Sequence, residues 1–142
     1  MRYLILGSNS FSGGSFINYL LDNEEVVQVF AISRSSESPK TLLSYKNNVH
    51  SNKVKFYQLD INTQSNKIAE LIHEYKIEYI INFAAQGMVA QSWDNPIEWF
   101  NTNTCSIVNL LHLIYKFDFI KKFVQVSTPE VYGSCNNIKE SM

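Results

Sequence analysis

The chain has 142 residues, of which 45% are hydrophobic and 18% charged, and its formal net charge is −1. This length suits a single domain, and the balanced charge excludes an extended basic surface for nucleic acid. The sequence contains neither an apolar run of the ~20 residues that a membrane span needs nor a signal peptide, so we expect a cytoplasmic protein without a membrane partner. Cys105 and Cys135 lack metal-ligand spacing and are expected to be reduced thiols.

The first element is a glycine-rich turn. An apolar run from Tyr3 to Leu6 stops at Gly7, and an amphipathic pattern begins just after Gly13, which predicts a strand, a tight turn and a helix. Unpaired N–H groups at such a helix start bind a pyrophosphate. We expect Gly7 to make the turn and Gly13 to let the helix pack closely on the strand. Ser10 replaces a middle glycine and could donate a hydrogen bond to the phosphate. A structural strand-to-helix turn is the alternative.

The second predicted strand covers residues 26–32 and leads into a polar loop, residues 33–39. In dinucleotide-binding folds an acidic residue here binds the adenosine ribose hydroxyls, whereas an arginine accommodates a 2′-phosphate. The acid is missing, and Arg34 stands among serines. This favours NADP over NAD, with NAD as the other candidate cofactor and a merely solvated arginine as the structural alternative.

Three further elements follow. Residues 40–52 are expected to form a long connection with one helical turn and a solvated His50. Strand three covers residues 54–59, followed by Asp60. Ser65 or Asn66 is expected to cap a helix. Its apolar face is Ile68, Leu71, Ile72 and Tyr75. Strand four covers residues 79–83 and is apolar enough to be buried on both faces.

The longest predicted helix runs from about residue 96 to 116, with Asn95 as its N-cap and Pro96 in its first position. Apolar residues recur along it at spacings of three and four, which predicts an amphipathic helix with one apolar face. That face consists of Ile97, Phe100, Thr104, Ile107, Leu111 and Ile114. Strand five covers residues 122–127 and is expected to be buried on both faces.

Strands that alternate with helices at this pace predict an α/β fold with a Rossmann-like, doubly wound parallel sheet in the order 3-2-1-4-5. Ligands bind such sheets beyond the carboxyl ends of the strands, where the order reverses between strands one and four. Asp60, Ala84, Ala85, Ser127 and Thr128 are all expected at that edge.

Six motifs along the chain resemble, in order and spacing, the extended short-chain dehydrogenase/reductases that act on nucleotide sugars. The nearest resemblance is to the NAD(P)-dependent nucleotide-sugar 4,6-dehydratases, and it covers essentially the whole chain. The polar-basic exit from strand two resembles the NADP-using GDP-mannose dehydratase branch. The motifs are Gly7-x-x-Ser10-Phe11-x-Gly13, Leu59-Asp60, Asn82-Phe-Ala-Ala85, Ser92-Trp-Asp-Asn-Pro96, Thr102-Asn103 and Ser127-Thr-Pro-Glu-Val-Tyr-Gly133.

The resemblance implies a role for individual residues. Asp60 and Ile61 would contact the adenine, Ala84 and Ala85 would line the path of the nicotinamide ribose, and Thr128 would bond the 4-hydroxyl of a nucleotide-sugar substrate. The implied cofactor-binding residues are Gly7, Ser10, Phe11, Ser12, Gly13, Ser33, Arg34, Ser35, Asp60, Ile61, Ala84, Ala85, Gln86, Asn103, Val126 and Ser127.

The family's chemistry starts with oxidation of the sugar at C4, after which a carboxylate removes the acidified C5 proton. Thr128 and Glu130 are the implied catalytic residues, with Glu130 as the base. Many members carry an aspartic acid just before this glutamate, whereas this chain has Pro129. Gly87-Met88 also departs from the usual substrate-facing loop. A decarboxylase, an epimerase, or a dehydratase with another acid therefore remains open.

The family's catalytic Tyr-x-x-x-Lys pair is not among these 142 residues. We therefore interpret residues 1–142 as an incomplete dinucleotide-binding domain without the substrate lobe, inactive by itself. A non-catalytic dinucleotide-binding module is the alternative, although Thr128 and Glu130 favour an enzyme. In the family the helix at 96–116 belongs to a four-helix dimer interface, which implies a homodimer.

Overall fold

The structure, a computed structural model, describes residues 1–128 and residue 131. Five parallel strands form one sheet in the order β3-β2-β1-β4-β5, which confirms the predicted topology. The strands are β1 (Arg2–Leu6), β2 (Gln28–Ser33), β3 (Val54–Gln58), β4 (Tyr79–Asn82) and β5 (Lys122–Gln125). The helices are α1 (Phe11–Leu21), α2 (Ser65–Tyr75), α3 (Val89–Asp94), α4 (Pro96–Phe100) and α5 (Ser106–Ile114). No described helix is long and apolar enough to cross a membrane.

Helices cover both faces of the sheet, as parallel strands require. Alternate residues of β1 point to opposite sides, so that Ile5 packs with α1 on one face while Leu4 packs with α2 and α5 on the other. β4 divides in the same way at Ile80 and Ile81, which are 0% and 7% exposed, and its predicted burial on both faces is confirmed.

The connection between β2 and β3 contains two 3₁₀ turns, Ser44–Asn47 and Ser51–Lys53, rather than the single turn expected. Leu43 and Tyr45 from this connection are almost completely buried in the α1 layer. A Cβ on Gly14 would lie 3.1 Å from Cδ2 of Leu43, so the glycine lets the connection pack tightly on α1. His50 is exposed, as expected.

Two helix starts differ from the prediction. α1 begins at Phe11 rather than after Gly13, because the Ser10 hydroxyl caps it by accepting a hydrogen bond from Gly13 N at 3.0 Å. Ser65 is the first residue of α2 and does not cap it; its hydroxyl donates to Ile61 O at 2.7 Å instead. The predicted apolar face of α2 is confirmed.

The predicted long helix is divided by a π turn, Asn101–Cys105, and ends at Ile114. A π turn holds about one residue more than an α turn, which rotates the two halves by roughly 100° relative to each other. The predicted residues therefore do not share one helical face: Ile107 and Ile114 are buried, but Ile97 and Phe100 are 73% and 67% exposed.

The rotation leaves a set of exposed apolar side chains, which we call the outer stripe. It joins side chains of α4 to side chains of α5 and of the residue that follows it. Its members are Ile97, Phe100, Val108, Leu111 and Tyr115, all exposed. The π turn thus places the apolar residues of α4 and the buried apolar residues of α5 on different faces, although their spacing in the sequence predicts one face.

β5 also departs from the prediction. It is the outermost described strand on its side of the sheet, and Lys122, Val124 and Gln125 are exposed while Phe123 is only partly buried. Its regular pairing with β4 ends at Gln125, two residues before the predicted end.

Candidate cofactor cleft

A cleft of about 180 Å³ lies at the carboxyl ends of the first four strands. It occupies the place where the strand order reverses, which is where open parallel sheets bind ligands. The predicted site residues that line it are Gly7, Ser10, Ser33, Arg34, Asp60, Ile61, Ala84, Ala85 and Gln86. Its other lining residues are Leu6, Ile32, Leu59, Asn62, Phe83 and Thr102.

Gly7 makes the tight turn at the floor of the cleft, as predicted. Its φ of +78° lies in the left-handed region, and an added Cβ would stand 2.6 Å from Ala84 N. The N–H groups of Gly7 and Ser8 both donate to Ile32 O, at 2.9 and 3.0 Å. The turn is thereby fixed against both β2 and the exit from β4.

Ser10 closes this turn rather than leaving its hydroxyl free. Its Oγ donates to Gly7 O at 2.8 Å while it accepts from Gly13 N. A Cβ on Gly13 would lie 2.5 Å from the same Gly7 carbonyl, which confirms the expected close packing of helix on strand. The hydroxyl proton that we expected to reach a phosphate is therefore engaged within the turn.

Two backbone donors remain at the helix start. The first backbone hydrogen bond across a full turn of α1 runs from Gly14 N to Ser10 O, so the N–H groups of Phe11 and Ser12 precede the helical ladder. Both residues are exposed, and the first turn of α1 carries no acidic side chain. The positive end of an 11-residue helix is therefore open to an anion.

The loop after β2 brings a cation to the cleft. Arg34 is exposed and lines both the cleft and an adjoining groove of about 600 Å³. The loop's acid, Glu37, is engaged elsewhere, because its carboxylate accepts from Tyr45 Oη and Lys46 Nζ, both at 2.8 Å. Burial, together with this hydrogen bond, raises the pKa of Tyr45. The acid that the sequence analysis found missing at the end of β2 is thus not supplied by Glu37.

The loop after β3 is tied to the π turn by residues that the sequence analysis did not assign to the site. Asn62 Nδ2 donates to Thr102 Oγ1 at 3.0 Å, and its Oδ1 accepts from Ser106 Oγ at 2.5 Å. Asp60 accepts from Asn62 N at 2.8 Å, which orders the start of the same loop. Thr102 could have been found, since it belongs to a recognised motif; Asn62 carries no sequence signal.

Asn103 supports the cleft wall without lining it. Its amide exchanges two hydrogen bonds with the backbone of Gln86, accepting from N at 2.7 Å and donating to O at 3.0 Å. Asn82, the last residue of β4, holds the start of the loop that leads to Gln86. It is fully buried, accepts a hydrogen bond from Ala84 N at 2.9 Å and donates one to Gln125 Oε1 at 2.8 Å.

The remaining predicted residues lie outside the cleft lining. Phe11, Ser12 and Gly13 form the helix start described above, and Ser35 lies on the loop after β2. Val126, Ser127 and Thr128 follow β5 and are exposed. Glu130, the implied base, and Pro129 lie outside the described residues.

The sequence model of the GDP-mannose 4,6 dehydratase family matches residues 4–141 of the chain. The low-salt glycan biosynthesis protein Agl12 from Haloferax volcanii is 32% identical over 141 residues, which are 98% of this chain and 43% of that protein. The chain spans between 37% and 44% of the length of the curated relatives that it matches along most of its own length.

Two solved structures combine this fold with a bound cofactor. dTDP-glucose 4,6-dehydratase from Bacillus anthracis, in complex with NAD, is 27% identical with a TM-score of 0.74, covering 100% of this chain and 41% of that one. UDP-glucose 4-epimerase from Bifidobacterium longum, in complex with NAD⁺ and UDP, is 25% identical with a TM-score of 0.77, covering 94% and 38%.

The turn at Gly7 gives a prediction about stability. We expect Gly7→Ala to lower the free energy of unfolding by about 3 kcal/mol, because the residue has a left-handed φ and the new Cβ would meet backbone atoms of β4's exit. Gly87→Ala is the control, since nothing lies within 4 Å of a Cβ there, and its effect should stay within about 0.5 kcal/mol. Urea denaturation measures both; equal effects would contradict the structural role of Gly7.

Proposed function

Because the chain belongs to the GDP-mannose 4,6 dehydratase family, we propose that it is the cofactor-binding part of a nucleotide-sugar 4,6-dehydratase-like oxidoreductase. The observation that carries the proposal is the cleft where the strand order reverses, with an open helix start on one side and Arg34 on another. Related proteins with this fold include nucleotide-sugar dehydratases and epimerases.

The residues fit a dinucleotide. The N–H groups of Phe11 and Ser12 would hold the pyrophosphate, and the crowding at Gly7 and Gly13 keeps the turn free of side chains. Asp60 and the buried Ile61 would bind the adenine end. Bound NAD in two relatives supports a nicotinamide dinucleotide. Arg34, with Glu37 engaged elsewhere, supports NADP as the preferred form.

A nicotinamide cofactor held in the cleft would supply the hydride acceptor for oxidation of the sugar at C4. The 4-hydroxyl proton would go to the tyrosine of the family's Tyr-x-x-x-Lys pair, which is not among these 142 residues. Thr128 would hydrogen-bond the 4-hydroxyl, and Glu130 would then take the C5 proton, which the neighbouring C4 carbonyl makes acidic. With Pro129 in the place of an acid, an epimerase or a decarboxylase is the second candidate. A non-catalytic dinucleotide-binding module is the third, and it would not need a base at Glu130.

The cofactor preference is tested at Arg34. We expect Arg34→Ala to weaken NADP binding by about 10- to 100-fold, because a charge-assisted pair with the 2′-phosphate contributes roughly 1.5–3 kcal/mol, while NAD binding stays within about twofold. Calorimetric titration of both cofactors measures the difference. Lys40→Ala is the control, since Lys40 is an exposed cation nearby that lines neither the cleft nor the groove. Equal weakening of both cofactors by Arg34→Ala would refute the NADP preference.

The chemical role of Glu130 is tested in an active protein that contains this chain. Glu130→Gln removes the base, at a typical cost of 10²–10⁴-fold in proton abstraction, without removing C4 oxidation. We therefore expect reduced cofactor and a keto sugar to accumulate, while exchange of the C5 hydrogen with solvent is lost. Deuterium incorporation at C5 at the wild-type rate would refute the assignment.

The outer stripe supports a homodimer. The outer stripe places five exposed apolar side chains along one helical segment, exposed apolar surface marks protein–protein interfaces, and two copies of the same stripe could pack symmetrically. Trp93 on the preceding helix, α3, is a further large apolar side chain that is exposed, at 83%.

We expect Phe100→Glu to weaken self-association at least about 100-fold, because each copy would bury a carboxylate in an apolar interface. Sedimentation equilibrium measures the effect. Val49→Glu is the matched control: Val49 is 88% exposed and lies in the connection between β2 and β3, so association should be unchanged. A wild-type protein that stays monomeric at high concentration would contradict the homodimer.

A further inference from the structure

Asn9 in the glycine-rich turn reaches across to the loop that carries Arg34. Its Nδ2 donates to Ser35 Oγ at 2.9 Å and to Ser36 O at 2.8 Å, and its Oδ1 accepts from Ser38 N at 3.2 Å. Both amide hydrogens and the carbonyl oxygen are therefore directed to one segment. One side chain thus joins the turn to the loop.

The loop depends on such side chains for its position. Residues 35–38 belong to no helix or strand, and their backbone groups make no hydrogen bond to another backbone group in the described part of the chain. Gln58 Nε2 donates to Arg34 O at 3.1 Å, and Lys46 Nζ donates to Ser38 O at 3.1 Å. These contacts hold the loop from β3 and from the connection after β2, whereas Asn9 alone of these anchors starts from the turn that faces the pyrophosphate.

We propose that Asn9 is a positioning residue that sets the preference for NADP over NAD, by fixing the Arg34 loop relative to the glycine-rich turn. The proposal rests on the proposed function, in which the turn holds the pyrophosphate and Arg34 holds the 2′-phosphate of the same molecule. Two anionic groups on one ligand are bound best by two donor sets at a fixed separation, since ordering the protein costs free energy on binding. Asn9 supplies that fixed separation.

Loss of Asn9 should affect the two cofactors unequally. The helix start is capped by Ser10 and does not use Asn9, so the N–H groups of Phe11 and Ser12 remain in place for the pyrophosphate that NAD and NADP share. The Arg34 loop, by contrast, loses three hydrogen bonds at once. A role confined to stability would lower both affinities equally.

The test is a double-mutant cycle of Asn9→Ala and Arg34→Ala, with NADP and NAD titrated calorimetrically against each of the four proteins. We expect Asn9→Ala to lower the ratio of NADP to NAD affinity about tenfold in the wild-type background, and less than twofold once Arg34 is replaced. Asn47→Ala is the control, because Asn47 makes one 3.4 Å hydrogen bond to Lys40 O and does not touch the Arg34 loop. Its ratio should not change.

The outcomes separate the two proposals. If Arg34→Ala lowers the ratio and Asn9→Ala does not, or if the two effects simply add, the positioning role of Asn9 is overturned and the NADP preference stands. If Arg34→Ala leaves the ratio unchanged, the NADP preference fails and the role of Asn9 falls with it. Thermal unfolding checks that each variant is folded; Asn9→Ser, whose side chain is too short to span the gap, replaces Asn9→Ala if that variant does not fold.

Discussion

The contact between the Gly7 turn and the exit from β4 is the constraint on which the site depends. Because Gly7 has no side chain, its Cα approaches the backbone of Phe83 and Ala84 directly, which brings the ends of β1 and β4 together. The same turn carries the Ser10 cap, and the cap determines which N–H groups of α1 remain open. A single backbone conformation therefore sets both the floor of the cleft and the donors at its edge.

The distribution of charge around the cleft follows from pairing rather than from composition. Glu37 and Lys46 form a salt bridge beside the buried Tyr45, whereas Arg34 on the same loop forms no salt bridge with any residue that the structure describes. A salt bridge that is still partly open to water contributes little stability, but a pair that withdraws an acid from a cleft changes which ligands the cleft can accept. The net charge of the chain conveys nothing of this arrangement.

The sequence predicts those features that depend on local patterns. Strand order, the left-handed glycine and the apolar face of α2 follow from periodicity and from the steric freedom of glycine. The face of the 96–116 segment could not be predicted, because one extra residue in a π turn leaves the spacing of apolar residues unchanged while rotating half of them. The side chains of Asn9 and Asn62 were missed for another reason: their partners are 26–44 residues away, and asparagine has no periodic signature.

The π turn also connects the wall of the cleft to the apolar outer stripe. Its inner side carries Thr102, at the wall of the cleft, and Asn103, which holds Gln86, whereas Phe100 immediately before it belongs to the outer stripe. A partner packed on the outer stripe would contact Phe100, which immediately precedes the π turn whose Thr102 lines the cleft. By thermodynamic linkage, if packing on the stripe strengthens ligand binding, then ligand binding strengthens the packing by the same free energy. Self-association through the outer stripe and ligand binding in the cleft would then be two coupled equilibria, connected through the π turn.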